Sequence, residues 1–177
     1  MEKQETSKEA YFVNSVFLAK GNNGLKAKLK RADVPSMAYQ SWEFLLSHGI
    51  NLEWEDDRRS AALVAAAIAK SDVTGNGSLG LGRALAEAFK DSDSGSSEDN
   101  ASPASQRLRR LIACSSVEEL LQVLRPMLSL IDSRLTSGHL DYARLLRQLW
   151  DFHWEDRQER IKIGWTQDFY RQKGKDL

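Results

Sequence analysis

The sequence predicts an all-α fold, and three observations carry that prediction. Apolar residues recur at three- and four-residue intervals through much of the chain, no short stretch alternates cleanly between apolar and polar, and β-branched residues are sparse. A chain of 177 residues can bury roughly 70% of the surface its unfolded form exposes, enough for one compact domain or two small lobes.

The elements follow in order. An Ala-rich run, Ala61, Leu63, Val64, Ala65, Ala66, Ala67, Ile68 and Ala69, comes after the acidic turn 53–57. Alanine is the best helix former, and acids at the start of a helix suit its dipole. Residues 75–80, GNGSLG, match the G-x-G-x-x-G pattern of dinucleotide-binding loops. That pattern needs a strand before it and a parallel sheet around it, whereas here an Ala-rich helix precedes it. The segment therefore reads as a turn over 74–77, with Ser78 as the N-cap of a helix over 79–89.

Residues 90–106, KDSDSGSSEDNASPASQ, hold no large apolar side chain. Nothing there repays the entropy of ordering, so the chain is expected to divide into an N-terminal helical lobe over 1–90, a flexible acidic Ser-rich loop over 91–106 and a C-terminal helical lobe over 107–177. The whole is a two-lobed helical bundle.

In the second half, Leu120, Leu121, Leu124, Met127, Leu128 and Ile131 repeat at helical intervals behind Ser116, and Glu119 completes a Ser-x-x-Glu capping box. Pro126 lies inside this helix and is expected to kink it, because it offers no N–H and its ring displaces the carbonyl of Gln122. Gly138 reads as the C-cap. Two more helices follow, one carrying Ala143, Leu146, Leu149 and Trp150, the next carrying Trp154, Ile161, Trp165 and Phe169. Because Trp150, Trp154 and Trp165 fall on these stripes, the five tryptophans, with Trp42 and Trp54, are read as core rather than as stacking platforms for bases.

Several chemistries are excluded. Cys114 is the only cysteine, so there is no intramolecular disulfide and no cysteine-based zinc cluster, which suits a reducing compartment. His48, His139 and His153 lack the spacing of a helical zinc pair, so no metal and no cofactor is expected. No Gly-x-Ser-x-Gly elbow occurs, and Cys114 has no histidine near it in sequence. Carboxylates show only the pattern of solvated helices, such as Arg147 with Asp151, so no catalytic residue is assigned. With neither a long apolar run nor an apolar start, the expectation is no membrane association and a cytoplasmic protein.

Charge carries the most information. The chain has 25 basic and 25 acidic residues, yet the two signs are segregated. Residues 20–31 contain Lys20, Lys26, Lys28, Lys30 and Arg31 without an acid, and residues 101–117 contain Arg107, Arg109 and Arg110 without an acid. Residues 87–100 hold five acids against one lysine, a net of −5 + 1 = −4. Patches of this kind act on a polyanion within a Debye length of about 8–10 Å. On a helical wheel Leu108, Leu111 and Ile112 share one side and Arg107, Arg109 and Arg110 the other, while Arg144 and Arg147 lie opposite Ala143, Leu146, Leu149 and Trp150. Arg160 and Lys162 flank the last apolar stripe. Guanidinium groups suit phosphate by geometry as well as charge. Nothing in the sequence reads bases, so contact with a nucleic-acid backbone is the expected mode.

Four segments resemble one family. GLKAKLKRA (24–32), GNGSLGLGRALA (75–86), RLRRLIACSSVEELLQVLRPML (107–128) and LDYARLLRQLWDFHWEDRQERIKIGWTQDFY (140–170) are together similar to the CasB family, the small subunit of the type I-E CRISPR Cascade complex. The resemblance implies a non-catalytic, two-lobed helical subunit. It further implies two copies placed head to tail beside the backbone subunits and the large subunit, with CRISPR RNA and target DNA backbone as partners. Their basic surface would stabilise the R-loop and its displaced non-target strand, sequence being read by base pairing. By position in the matching segments, the resemblance implies nucleic-acid contacts at Lys30, Arg31, Arg83, Arg107, Arg125, Arg144, Arg160 and Lys162. Arg110 and Arg147 are added from the wheels. The chain departs from the family pattern at Ser105, at Pro126 and in the acidic insertion Asp91–Asp99, whose charge would repel a phosphate backbone. The alternative is a purely structural helical adaptor without direct nucleic-acid contact.

Overall fold

The computed structural model describes residues 6–90 and 102–173. Among them the regular structure is helical, with one isolated parallel bridge between Leu79 and Leu140. The described helices are α1 (Lys8–Ala19), α2 (Asn23–Leu29), α3 (Trp42–Ser47), α4 (Glu55–Lys70), α5 (Leu81–Ala88), α6 (Pro103–Ala113), α7 (Val117–Arg134), α8 (Tyr142–Asp151) and α9 (Glu155–Lys173), with a 3-10 turn (Ala38–Ser41) leading into α3. They form two compact units, and neither is continuous in sequence. The first takes Met1–Asn76 and Tyr142–Trp150, the second Gly77–Asp141 and Asp151–Leu177. The units thus cut across the sequential lobes 1–90 and 107–177: α5 belongs with α6, α7 and α9, and α8 belongs with α1 to α4.

The first unit is built on α4. Its first turn carries Glu55, Asp56 and Asp57, and from Ser60 to Ala69 all but Ala67 is buried. A helix apolar on every side must be surrounded, and its alanines let α1 and α2 come close. Ser7 caps α1 by accepting from the Ala10 N–H, and Asn22 caps α2 by accepting from the Leu25 N–H. The C-terminal end of α4 is closed by a side chain from far away: Lys20 Nζ donates to the carbonyls of Ser71, at 2.8 Å, and Val73. The start of α8 is also capped remotely, because Asn76 Oδ1 accepts from the Tyr142 N–H at 2.8 Å and the Ala143 N–H at 3.4 Å. Trp150 is half-buried, its indole N–H donating to the Asp57 carbonyl at 3.2 Å.

In the second unit α5 lies directly on α9. A Cβ at Gly82 would stand 2.1 Å from the carbonyl oxygen of Trp165, so only glycine permits this approach. Phe152 stacks on Trp165 with ring centroids 6.2 Å apart, and both are buried beside Phe169. Ser116 Oγ accepts from the Glu119 N–H, while the Glu119 carboxylate accepts from the N–H of Ser115 at 2.8 Å and its hydroxyl at 3.1 Å, so the capping box reaches one residue further back.

Several local expectations are corrected. The N-cap of α5 is Gly80, not Ser78, because residues 77–79 are occupied in pairing with 139–141: Gly77 N–H donates to Leu140 O, Leu79 N–H to His139 O and Asp141 N–H to Leu79 O. Gly77 is required there, since a Cβ would lie 1.9 Å from His139 O. The G-x-G-x-x-G pattern is thus explained by chain pairing, and two of its N–H groups are spent on carbonyls. Gly138, at φ 78°, lies beyond the C-cap of α7, which is Leu135. Pro126 lies inside α7, as expected, and the helix runs on to Arg134. The helix α6 begins at Pro103 with Ser102 as its cap, so the end of the 91–106 loop is helical; residues 91–101 lie outside the described residues. Asp151 pairs with Arg157. Trp42, Trp54 and Trp154 are exposed, the last at 54%, because Trp154 precedes α9 rather than joining its inner face.

Candidate nucleic-acid interface

In the first unit Lys30 and Arg31 follow the last turn of α2, both exposed, and that turn itself adds Lys26 and Lys28. Cations at a helix C-terminus are held by the dipole as well as by solvation. Arg144 and Arg147, three residues apart on α8, share its exposed side while Leu145, Leu146 and Leu149 are buried. Lys20, the first cation of the basic segment, is withdrawn from the surface role by its bonds to Ser71 and Val73.

In the second unit Arg83 projects from α5 opposite its buried residues, Arg110 and Arg125 are exposed on α6 and α7, and Arg160 is exposed on α9. Two of the ten expected positions differ. Lys162 is half-buried, its Nζ 3.1 Å from Gln158 Oε1 and 5.6 Å above the Phe152 ring. Arg107 is half-buried too. Its guanidinium lies 4.1 Å from the centre of the buried Phe89 ring and donates to the Pro103 carbonyl at 3.0 Å. The same ring carries Arg134, at 4.5 Å, from the last turn of α7. Burial lowers the Arg107 pKa from its ordinary value, and the neighbouring charges of Arg134 and Arg110 lower it further.

The structure therefore seats Arg107 and Arg134 on one aromatic ring, with Arg110 near enough to act on the charge of Arg107. Sequence reasoning named Arg107 and Arg110 and missed Arg134. The available signal was its place at the C-terminus of α7, but its approach to Phe89 is set by how α5, α6 and α7 pack. Among the described residues, no ion pair forms at Lys30, Arg31, Arg83, Arg110, Arg147 or Arg160; the described pairs include Arg59–Glu55, Lys70–Asp33 and Arg157–Asp151. Such an arrangement can hold phosphate groups by charge and by paired N–H donors.

Burial pushes the Cys114 thiol pKa up, the charge of Glu119 adds to that, and the Sγ donates to the Arg110 carbonyl at 3.2 Å. No group of three or more potential metal ligands occurs among the described residues, and none of their helices is long and apolar enough to cross a membrane.

The class defined by these features is an all-α protein whose helices pack through apolar seams and turn arginine outward. The model of the CRISPR-associated protein Cse2 family matches residues 25–170, and the chain belongs to that family, the one its sequence resembles under the name CasB. Its fold is that of CasB from M. ruber, with 24% identity over 97% of both chains and a TM-score of 0.75. A Cse2-family protein from Thermus thermophilus is 22% identical over 92% of this chain and 97% of its own, at a TM-score of 0.68. A chain described as part of a CRISPR RNA-guided surveillance complex is 23% identical over 93% of this chain and 92% of its own, at 0.64. No curated protein matches the sequence.

Proposed function

We propose that this chain is a non-catalytic subunit of a type I-E CRISPR RNA-guided surveillance complex, Cascade, and that it holds nucleic-acid backbone there. Its basic helix faces stabilise the R-loop, in particular the displaced non-target strand, during antiviral defence. The observation that carries the reading is the concentration of positive charge at Phe89, whose ring is flanked by the guanidinium groups of Arg107 and Arg134, with the exposed Arg110 near enough to lower the Arg107 pKa further. Membership of the Cse2 family supports the complex, as does the shared fold with a chain of such an assembly. In this reading the large subunit, the backbone subunits and a second copy of this chain are its protein partners, and Lys30, Arg31, Arg83, Arg125, Arg144, Arg147 and Arg160 supply further phosphate contacts.

Zero net charge implies weak binding by the isolated chain. If each copy neutralises about three to five phosphates, log K falls against log salt with a slope of roughly −3 to −5. Tethering in a complex supplies the missing affinity through local concentration. The test is Arg110→Glu combined with Arg147→Glu, both at exposed positions. Assembly stays intact and target-DNA retention falls if the arginines hold backbone. Loss of assembly with the same variant favours the structural adaptor.

A further inference from the structure

The face of the first unit formed by the 3-10 turn and α3 has the opposite character. Phe44, Leu45 and Ser41 point inward, and the other side presents Tyr39, Trp42 and Leu46, which are 60%, 42% and 60% exposed. Their spacing of three and four residues places them in one stripe. Arg58 ties the neighbouring turn to this stripe: its guanidinium donates to the Leu52 carbonyl and lies 5.9 Å from the Trp42 ring centre. That turn carries Trp54, 61% exposed. Around the aromatics stand Glu43, Glu53, Glu55 and Asp56, all exposed; Arg58 lies over Trp42, Arg59 pairs with Glu55 and Lys28 lines a cavity with Glu43, yet residues 34–59 keep a net charge of −5 + 2 = −3.

Large exposed side chains in a row are costly in water and are the anchors of protein interfaces. Their acidic surroundings repel phosphate, which argues against a stacking surface for bases. We propose that this acidic aromatic stripe is a docking surface for a different protein subunit, one presenting an apolar ridge edged with lysine or arginine. The proposal rests on the reading of this chain as a member of a multisubunit complex. It assigns the cationic helix faces to nucleic acid and the acidic aromatic face to protein.

The experiment reconstitutes the guide-RNA complex from its subunits with wild-type chain, Leu46→Lys or Tyr39→Ala, and measures occupancy of this chain by native mass spectrometry. Both positions are solvent-exposed, and unchanged thermal unfolding verifies that the variants fold. Leu46→Lys, which meets a cationic edge with like charge, lowers occupancy by about tenfold, and Tyr39→Ala by less. Binding of isolated Tyr39→Ala to single-stranded oligothymidine matches wild type. Unchanged occupancy with both variants overturns the proposal. So does weakened oligonucleotide binding by Tyr39→Ala, which makes the stripe a base platform, or a dimer of the isolated chain that Leu46→Lys dissociates while occupancy is unchanged, which makes the occupant a second copy. Failure of the wild-type chain to join at all removes the complex reading and this proposal with it.

Discussion

Replacing Gly82 by alanine tests the central contact of the second unit. The added methyl would stand 2.1 Å from Trp165 O, 2.9 Å from Trp165 C and 3.1 Å from Asp168 Cβ. A carbon and a carbonyl oxygen normally come no closer than about 3.3 Å, so α5 and α9 must separate by about 1 Å. The obstacle is backbone inside a helix, which no rotamer change can move. A gap of that size forfeits a quarter to a half of the dispersion energy of every atom pair across the seam. The expected loss is about 3 kcal/mol, the upper end of the range for overpacking. At about 2–4 °C per kcal/mol for a chain of this size, the Tm falls by about 6–12 °C. Gly164 on α9 is the control, because a Cβ there meets nothing within 4 Å. Gly164→Ala gains about 0.5–1 kcal/mol of helix propensity, a rise of about 1–4 °C. Differential scanning calorimetry of both variants resolves the two signs. A Tm for Gly82→Ala within about 2 °C of wild type, or a fall for Gly164→Ala, refutes the close-approach argument.

Three further outcomes are expected. Lys20→Met keeps the contact with Phe17 but removes the donors to Ser71 and Val73, and urea unfolding shows a loss of about 1–3 kcal/mol. Hydrogen bonds from Ser115 and Ser116 hold the Glu119 carboxyl below its ordinary pKa of 4.5. A depressed folded-state value stabilises above the unfolded pKa and is lost as pH falls through the folded one, so between pH 5 and 3 the stability of Glu119→Gln declines less steeply than that of wild type. Arg160→Gln, at an exposed position without an ion pair among the described residues, makes the salt slope for single-stranded DNA shallower by about 0.7 if that side chain holds one phosphate; an unchanged slope removes Arg160 from the interface.

The elements that sequence reasoning placed well are those whose causes are local. The alanine run of α4, the Ser116–Glu119 start of α7 and the apolar stripes of α8 and α9 each depend on residues within a few turns of one another. The outward side of Arg110, Arg144 and Arg147 was legible for the same reason, since a helix with one oily side has only one other side to offer. Ser78 suits a cap by residue type, yet its segment is claimed by pairing with residues sixty or more positions away.

By itself, then, the sequence determined that the chain is helical, which side of each amphipathic helix is wet, and that cations gather in two segments. Only the tertiary structure decided that α5 leaves the first half of the chain for the second unit, that Lys20 is spent on the end of α4, that Arg134 joins Arg107 on Phe89, and that Trp42 and Trp54 face solvent. Periodicity reports which side of a helix is apolar, but not which partner covers it. An aromatic ring or a long cationic chain finds its final contact across sequence separations that no local pattern records.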